Sequence, residues 1–205
     1  HFPQCEIISS LPATAKEREF SLTVSVSPGA ASLSSIHTYI NNVPVSSSKI
    51  EGGDHGQLTI PGLLSQGANK IEVSVRDANG LESTRSVRYC SYAPAKATKP
   101  ELYVLAVGVS DYDDDSIDLD LAHKDAEDFT KAISEHGAGQ YGEIHTRTIV
   151  NKEATPDSIW EAAKFLRNSR IDDQIILFFA GHGVQSTKDL EYRFCTANCD
   201  FKDVE

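Results

Sequence analysis

The stretch Ile175-Ile176-Leu177-Phe178-Phe179-Ala180-Gly181-His182-Gly183 decides how this chain is read. Its run of bulky apolar residues is too short to span a membrane and too uniform for a strand with one wet face. It predicts a strand buried on both faces of a parallel sheet. The run stops at a histidine held between two glycines. In open α/β sheets, ligands and catalytic groups gather at the carboxyl ends of the strands, and flanking glycines let a substrate backbone approach the imidazole. The stretch reads as half of an active site.

The residues before it supply the rest of such a sheet. Leu102 to Val109 is a continuous apolar β run, and Leu121 to His136 places Ala122, Ala126, Phe129 and Ile133 on one helical face, with Gly137 as the C-cap. Ile144 to Val150 makes a second strand. Thr155-Pro156-Asp157 starts a second helix with an N-cap, a proline at N1 and an early acid, and Ile159, Ala163 and Leu166 form its buried face. The order β-α-β-α-β calls for a parallel sheet with right-handed crossovers.

Further upstream the pattern changes. Phe20, Leu22, Val24 and Val26 alternate up to Pro28-Gly29, and Ile36, Thr38 and Ile40 alternate up to Asn41-Asn42. Leu58 and Ile60 lead into Pro61-Gly62, and Ile71, Val73 and Val75 run into Asp77-Ala78-Asn79-Gly80. Short alternating runs between turn residues, with no helical period, indicate a small all-β sandwich. Gly67, Asn69, Ile71 and Val73 resemble the strand entry of immunoglobulin-like modules attached to bacterial enzymes. Prolines, alanines and lysines without apolar periodicity follow, giving a sandwich over residues 1–92, a linker over 93–100 and an α/β domain over 101–205.

Composition bounds the function. Net charge is -11, and it is unevenly spread. Residues 1–98 hold 8 basic and 8 acidic side chains, whereas the remainder holds 11 Lys plus Arg against 22 Asp plus Glu. An acidic domain repels phosphate backbones, so nucleic-acid binding is disfavoured and a cationic substrate or metal ion is favoured; simple solubility is the alternative reading. No segment is long enough for a membrane span, and the N-terminus lacks the pattern of a signal peptide. With no methionine, the chain reads as a mature form or a fragment. A Cys5–Cys90 disulfide would tie the ends of the sandwich and favour export over a cytoplasmic location, and the compartment stays open. Cys195-x-x-x-Cys199 is weak as a zinc site.

Three pieces of the second domain occur in a telling order: the strand Leu102–Val109 followed by Tyr112, the helix segment Lys124-Asp125-Ala126, and Gly181-His182-Gly183. In this order they resemble the caspase-like cysteine peptidases of family C14, especially the bacterial metacaspase-related branch, over about residues 99–205. The resemblance implies the N-terminal, p20-like part of a three-layer caspase-like domain, C-terminally incomplete, behind an immunoglobulin-like module. It implies hydrolysis of peptide bonds by a Cys/His dyad acting on a peptide or protein substrate. His182 matches the histidine that protonates the departing amine, and the backbone N–H of Gly183 would stabilise the oxyanion.

The family's nucleophile lies at the end of a further apolar strand, which residues 1–205 lack. Cys195 and Cys199 follow His182 too closely for a crossover to return them beside it. The expectation is a chain inactive alone, with the cysteine on a C-terminal segment or partner chain. Asp125 matches the metacaspase residue that lines the pocket for a basic side chain, although a structural acid near the helix start reads equally well, and His123 departs from the family pattern. Asp111, Asp113 and Asp115 imitate the start of a calcium loop, but Ser116 and Ala122 replace its glycine and glutamate, which rejects an EF-hand. A looser calcium site and a solvated acidic loop stay open. His37, His55, His136 and His145 show no ligand spacing. The competing class is a non-catalytic pseudopeptidase that binds partners through its immunoglobulin-like module.

Overall fold

In the computed structural model, which describes residues 1–51, 56–186 and 190–200, the alternating apolar residues of the first 97 positions line one core. Eight strands build it: β1 (Gln4–Ile7), β2 (Thr14–Ala15), β3 (Glu19–Ser27), β4 (Leu33–Ile40), β5 (Val43–Lys49), β6 (Gly56–Leu63), β7 (Gly67–Asp77) and β8 (Ser86–Tyr92). They form two sheets, ordered β1-β3-β6 and β2-β8-β7-β4-β5. Leu22 and Val24 of one sheet and Ile71, Val73 and Val75 of the other are fully buried, as period-two patterning requires. Asn69 is buried with them. Its carboxamide accepts the Ser65 N–H at 2.8 Å and donates to the Ser65 and Gly67 carbonyls, so the strand entry is satisfied without water.

One detail corrects the sequence reading and another bears on a point it left open. Strand β6 runs through Pro61-Gly62 instead of stopping there. It is an edge strand, where a missing N–H costs no ladder bond, and the absent Gly62 side chain leaves room for the Phe20 ring. Pro44 sits in β5, the edge of the other sheet, for the same reason. Cys5 and Cys90 share the core as free thiols, not as a disulfide. Burial pushes the Cys5 thiol up to about 12, so it packs as a small protonated hydrophobe.

The chain divides into two compact units, His1–Ala97 and Thr98–Glu205. In the second, β9 (Leu102–Gly108) is buried along its whole length between two parallel neighbours, β10 (Ile144–Val150) and β11 (Gln174–Ala180). Helix α1 (Ala122–His136) packs on one face. The backbone of Ala122 and His123 and the methyl of Ala126 come so close that a side chain at Gly108 would collide with them, and Phe129 stacks on Phe178 at 4.5 Å. Helix α2 (Pro156–Ala163) starts with Thr155 and Ser158 in a capping box and Pro156 in the first turn. It continues as a 3-10 turn, and Ile159, Ala163 and Phe165 pack on Leu105, Val107 and Ile149, with Phe165 in the place expected of Leu166. The result is a three-layer α/β unit.

Gly137 caps α1 as expected, but its φ of −78° is right-handed. The constraint is space, because a Cβ there would lie 2.6 Å from Ile144 Cδ1. A larger correction concerns β11. It is the sheet's edge, and Ile175, Leu177 and Phe179 are 48 %, 56 % and 44 % exposed. The Ile176 and Phe178 side is half-buried, and on the other side Phe179 meets the Phe194 ring edge-on at 5.1 Å, so neither face is fully buried. A short hairpin follows, β12 (Gly183–Gln185) against β13 (Tyr192–Phe194).

Candidate active site

At the carboxyl end of β11 the chain turns through Gly181, whose φ of +153° is open to glycine. A Cβ at Gly181 would stand 2.9 Å from the Tyr112 hydroxyl. That hydroxyl accepts the backbone N–H of His182 at 2.9 Å, and the two rings lie 5.3 Å apart. Tyr112 is fully buried, and burial raises its pKa, so it serves as a neutral phenol. On the other side of the imidazole, Nε2 lies 2.8 Å from the Ile117 carbonyl oxygen. A carbonyl only accepts, so Nε2 carries a proton.

The carbonyl of His182 is also taken, by the Cys195 N–H at 2.9 Å. That bond makes Gly183 and Phe194 a non-hydrogen-bonded pair of the hairpin, so the Gly183 N–H points away from β13. The tip of the exposed Tyr192 lies over Gly183.

The acidic loop holds the Ile117 carbonyl in place. Asp118 accepts the Tyr112 N–H at 2.8 Å, and Asp114 caps the 3-10 turn Asp115–Ile117 by accepting from the Ser116 N–H and hydroxyl. Asn151, at φ +51°, accepts the N–H groups of Ser110 and Asp111, while Ser110 bonds the backbone and ring of His123. The ends of β9, β10 and β11 are thereby laced together by side chains whose roles their sequence neighbours do not announce.

The other candidates separate from this centre. Asp111 and Asp113 do not converge with Asp115 on a common point; Lys152 takes both, at 3.1 and 3.5 Å, and reaches the Tyr112 carbonyl at 2.8 Å. Hydrogen bonding to Asp111 raises the Lys152 pKa. Among the described residues the three aspartates form no group of ligand atoms in mutual reach, and Lys152 bridges two of them. Asp125 is exposed in the first turn of α1. Cys195 is 1 % exposed in the core beside Tyr112, and burial, aided by the Cys199 thiol, pushes it up to about 11. Such a thiol is not a thiolate at neutral pH. His37 bonds Ser35, His136 closes α1, and His55 lies outside the described residues.

Residues 102–203 match the family model Peptidase_C14, the caspase domain. The second unit is a caspase domain. Its family carries cysteine-peptidase-type function, and in this caspase domain the strand order and Gly181-His182-Gly183 stand as described above. Among solved structures, the fibronectin(III)-like modules of Clostridium thermocellum CbhA share 11 % identity with the chain, covering 45 % of it and 100 % of themselves at a TM-score of 0.38. The CARDB domain of PF1109 from Pyrococcus furiosus shares 14 %, covering 45 % of this chain and 96 % of its own at 0.32. No curated protein matches the chain. Among the described residues no helix is long and apolar enough to cross a membrane.

Proposed function

We propose that the caspase domain is the histidine-bearing part of a cysteine endopeptidase, in which His182 is the general acid and the Gly183 N–H is an oxyanion donor. The observation that carries this reading is the placement of His182 in a glycine-flanked turn at the carboxyl end of β11, its Nε2 held by the Ile117 carbonyl and its N–H by the Tyr112 hydroxyl. The attacking cysteine's thiol proton passes to the His182 ring as its sulfur bonds to the scissile carbonyl carbon, and the ring gives that proton to the departing amine as the C–N bond breaks. Cys195 is buried and protonated, so the nucleophile comes from a further strand, on a continuing segment or a partner chain. The edge of β11, which pairs with no further strand among the described residues, is where that strand pairs. Asp125 and the net acidity of the unit favour a substrate with Arg or Lys before the cut, with Asp125 as the carboxylate that receives it.

Peptides bearing Arg, Lys or Asp before the scissile bond, with and without calcium, test this on residues 1–205 and on the whole protein in which the domain occurs. The 1–205 chain is expected to be silent. In the whole protein, turnover of the basic peptides is expected to fall at least about 100-fold in His182→Ala, because a lost general acid costs that much. Unchanged turnover in His182→Ala removes the assignment. Turnover by 1–205 that vanishes in Cys195→Ser transfers the nucleophile to that residue.

A further inference from the structure

At the end of the sheet opposite His182, parallel pairing assembles a second group of side chains. Leu102 is in register with Ile144, so Glu101 and Glu143 sit side by side, each just before its strand. Side chains two apart on a strand share a face, which adds Tyr103 beside Glu101 and His145 beside Glu143. The His145 ring stacks on Tyr103 with centroids 4.4 Å apart, so its two nitrogens point edgewise. Nε2 lies 2.8 Å from Glu101 Oε2 and Nδ1 3.8 Å from Glu143 Oε1.

The supports of this group aim it. Arg170 binds Glu101 Oε1 at 2.9 Å and Asp173 through two nitrogens, and Asp173 accepts the Glu101 N–H at 2.8 Å. One oxygen of Glu101 is therefore fixed, and the other is turned toward His145. Arg170 thus serves the carboxylates of Glu101 and Asp173, while Glu143 stands on the other side of the imidazole.

We propose that Glu101, Glu143 and His145 bind one divalent cation of the zinc class, through one carboxylate oxygen each and one ring nitrogen. The three donor atoms lie within 4.8 Å of one another, and donors around a tetrahedral zinc ion lie about 3.3 Å apart. The set closes by the movement of Glu143, which is 69 % exposed, while the stacked ring and the arginine-held Glu101 stay put. A nitrogen with two carboxylates suits a borderline ion, and it suits calcium poorly, because calcium needs six to eight oxygens. The site ties β9 to β10 from the end remote from His182, so its role is to hold the sheet.

Calorimetric titration of zinc chloride into the 1–205 chain tests it. One saturable site is expected, weakened at least about tenfold in His145→Ala and in Glu101→Gln. His145→Phe keeps the stacking on Tyr103 but has no nitrogen, and it is expected to lose the same binding while remaining folded by circular dichroism. Cobalt(II) in place of zinc is expected to give visible absorption that both His145 variants abolish. The Cys195→Ser/Cys199→Ser double variant is expected to bind normally. Absence of a saturable site, unchanged affinity in His145→Phe, or loss of binding in the cysteine variant overturns the proposal.

Discussion

Gly181 sets the direction in which His182 leaves its strand. Its φ of +153° is disfavoured for any residue with a Cβ, and that Cβ would also press on the buried Tyr112 hydroxyl that receives the His182 N–H. Gly183 differs: the atom its Cβ would meet, at 2.0 Å, is the tip of the exposed Tyr192, which can swing aside. Gly181→Ala is therefore expected to lower unfolding free energy in urea by more than about 1 kcal/mol, and Gly183→Ala by less. The reverse ranking would show that the hairpin, and not the glycine turn, holds the histidine. His182 was legible in the sequence because an apolar run ending in a glycine-flanked histidine has a residue-type signature. Its partners were not. The Ile117 carbonyl and the Tyr112 hydroxyl stand 65 and 70 positions away, and a backbone acceptor carries no signature at all.

At the scale of elements, the three strands of the parallel sheet and both α-helices of the second unit were visible as runs and periods, yet burial was not. Ile175 to Phe179 reads the same whether one face is covered or two, since periodicity records apolar character and not what lies opposite. Register provides a test: Leu177 pairs with Leu105, one 56 % and the other 2 % exposed. Leu105→Ala is expected to cost about 2–5 kcal/mol in urea unfolding, whereas Leu177→Lys stays within about 0.5 kcal/mol in the 1–205 chain. Comparable losses would mean that the outer face of β11 is packed after all. The same limit explains two other misses. Pro61 reads as a breaker until β6 is known to be an edge, and Glu101, 42 positions before Glu143, becomes its neighbour only once β9 and β10 are paired.

For the molecule as a whole, the charge split separates two electrostatic regimes within one chain. Residues 1–97 are neutral, whereas the second unit carries twice as many acids as bases. Its exposed pairs, Lys124–Asp128 at 2.8 Å and Lys131–Glu135 at 4.0 Å among them, contribute little in water and do not offset the excess of acids over bases. Self-repulsion of the excess charge opposes compaction, and about 0.1 M salt cuts its range to about 10 Å. Salt weakens the surface pairs as well, but with acids in twofold excess the screened repulsion is the larger effect. Raising sodium chloride is therefore expected to slow amide exchange in β9, β10 and α1 and to leave β3, β4 and β7 unchanged. Hydrogen exchange read by mass spectrometry on the intact chain reports both units at once. Equal salt responses, or faster exchange in β9 at high salt, would show that pairwise bridges such as Lys152 with Asp111 outweigh the net charge.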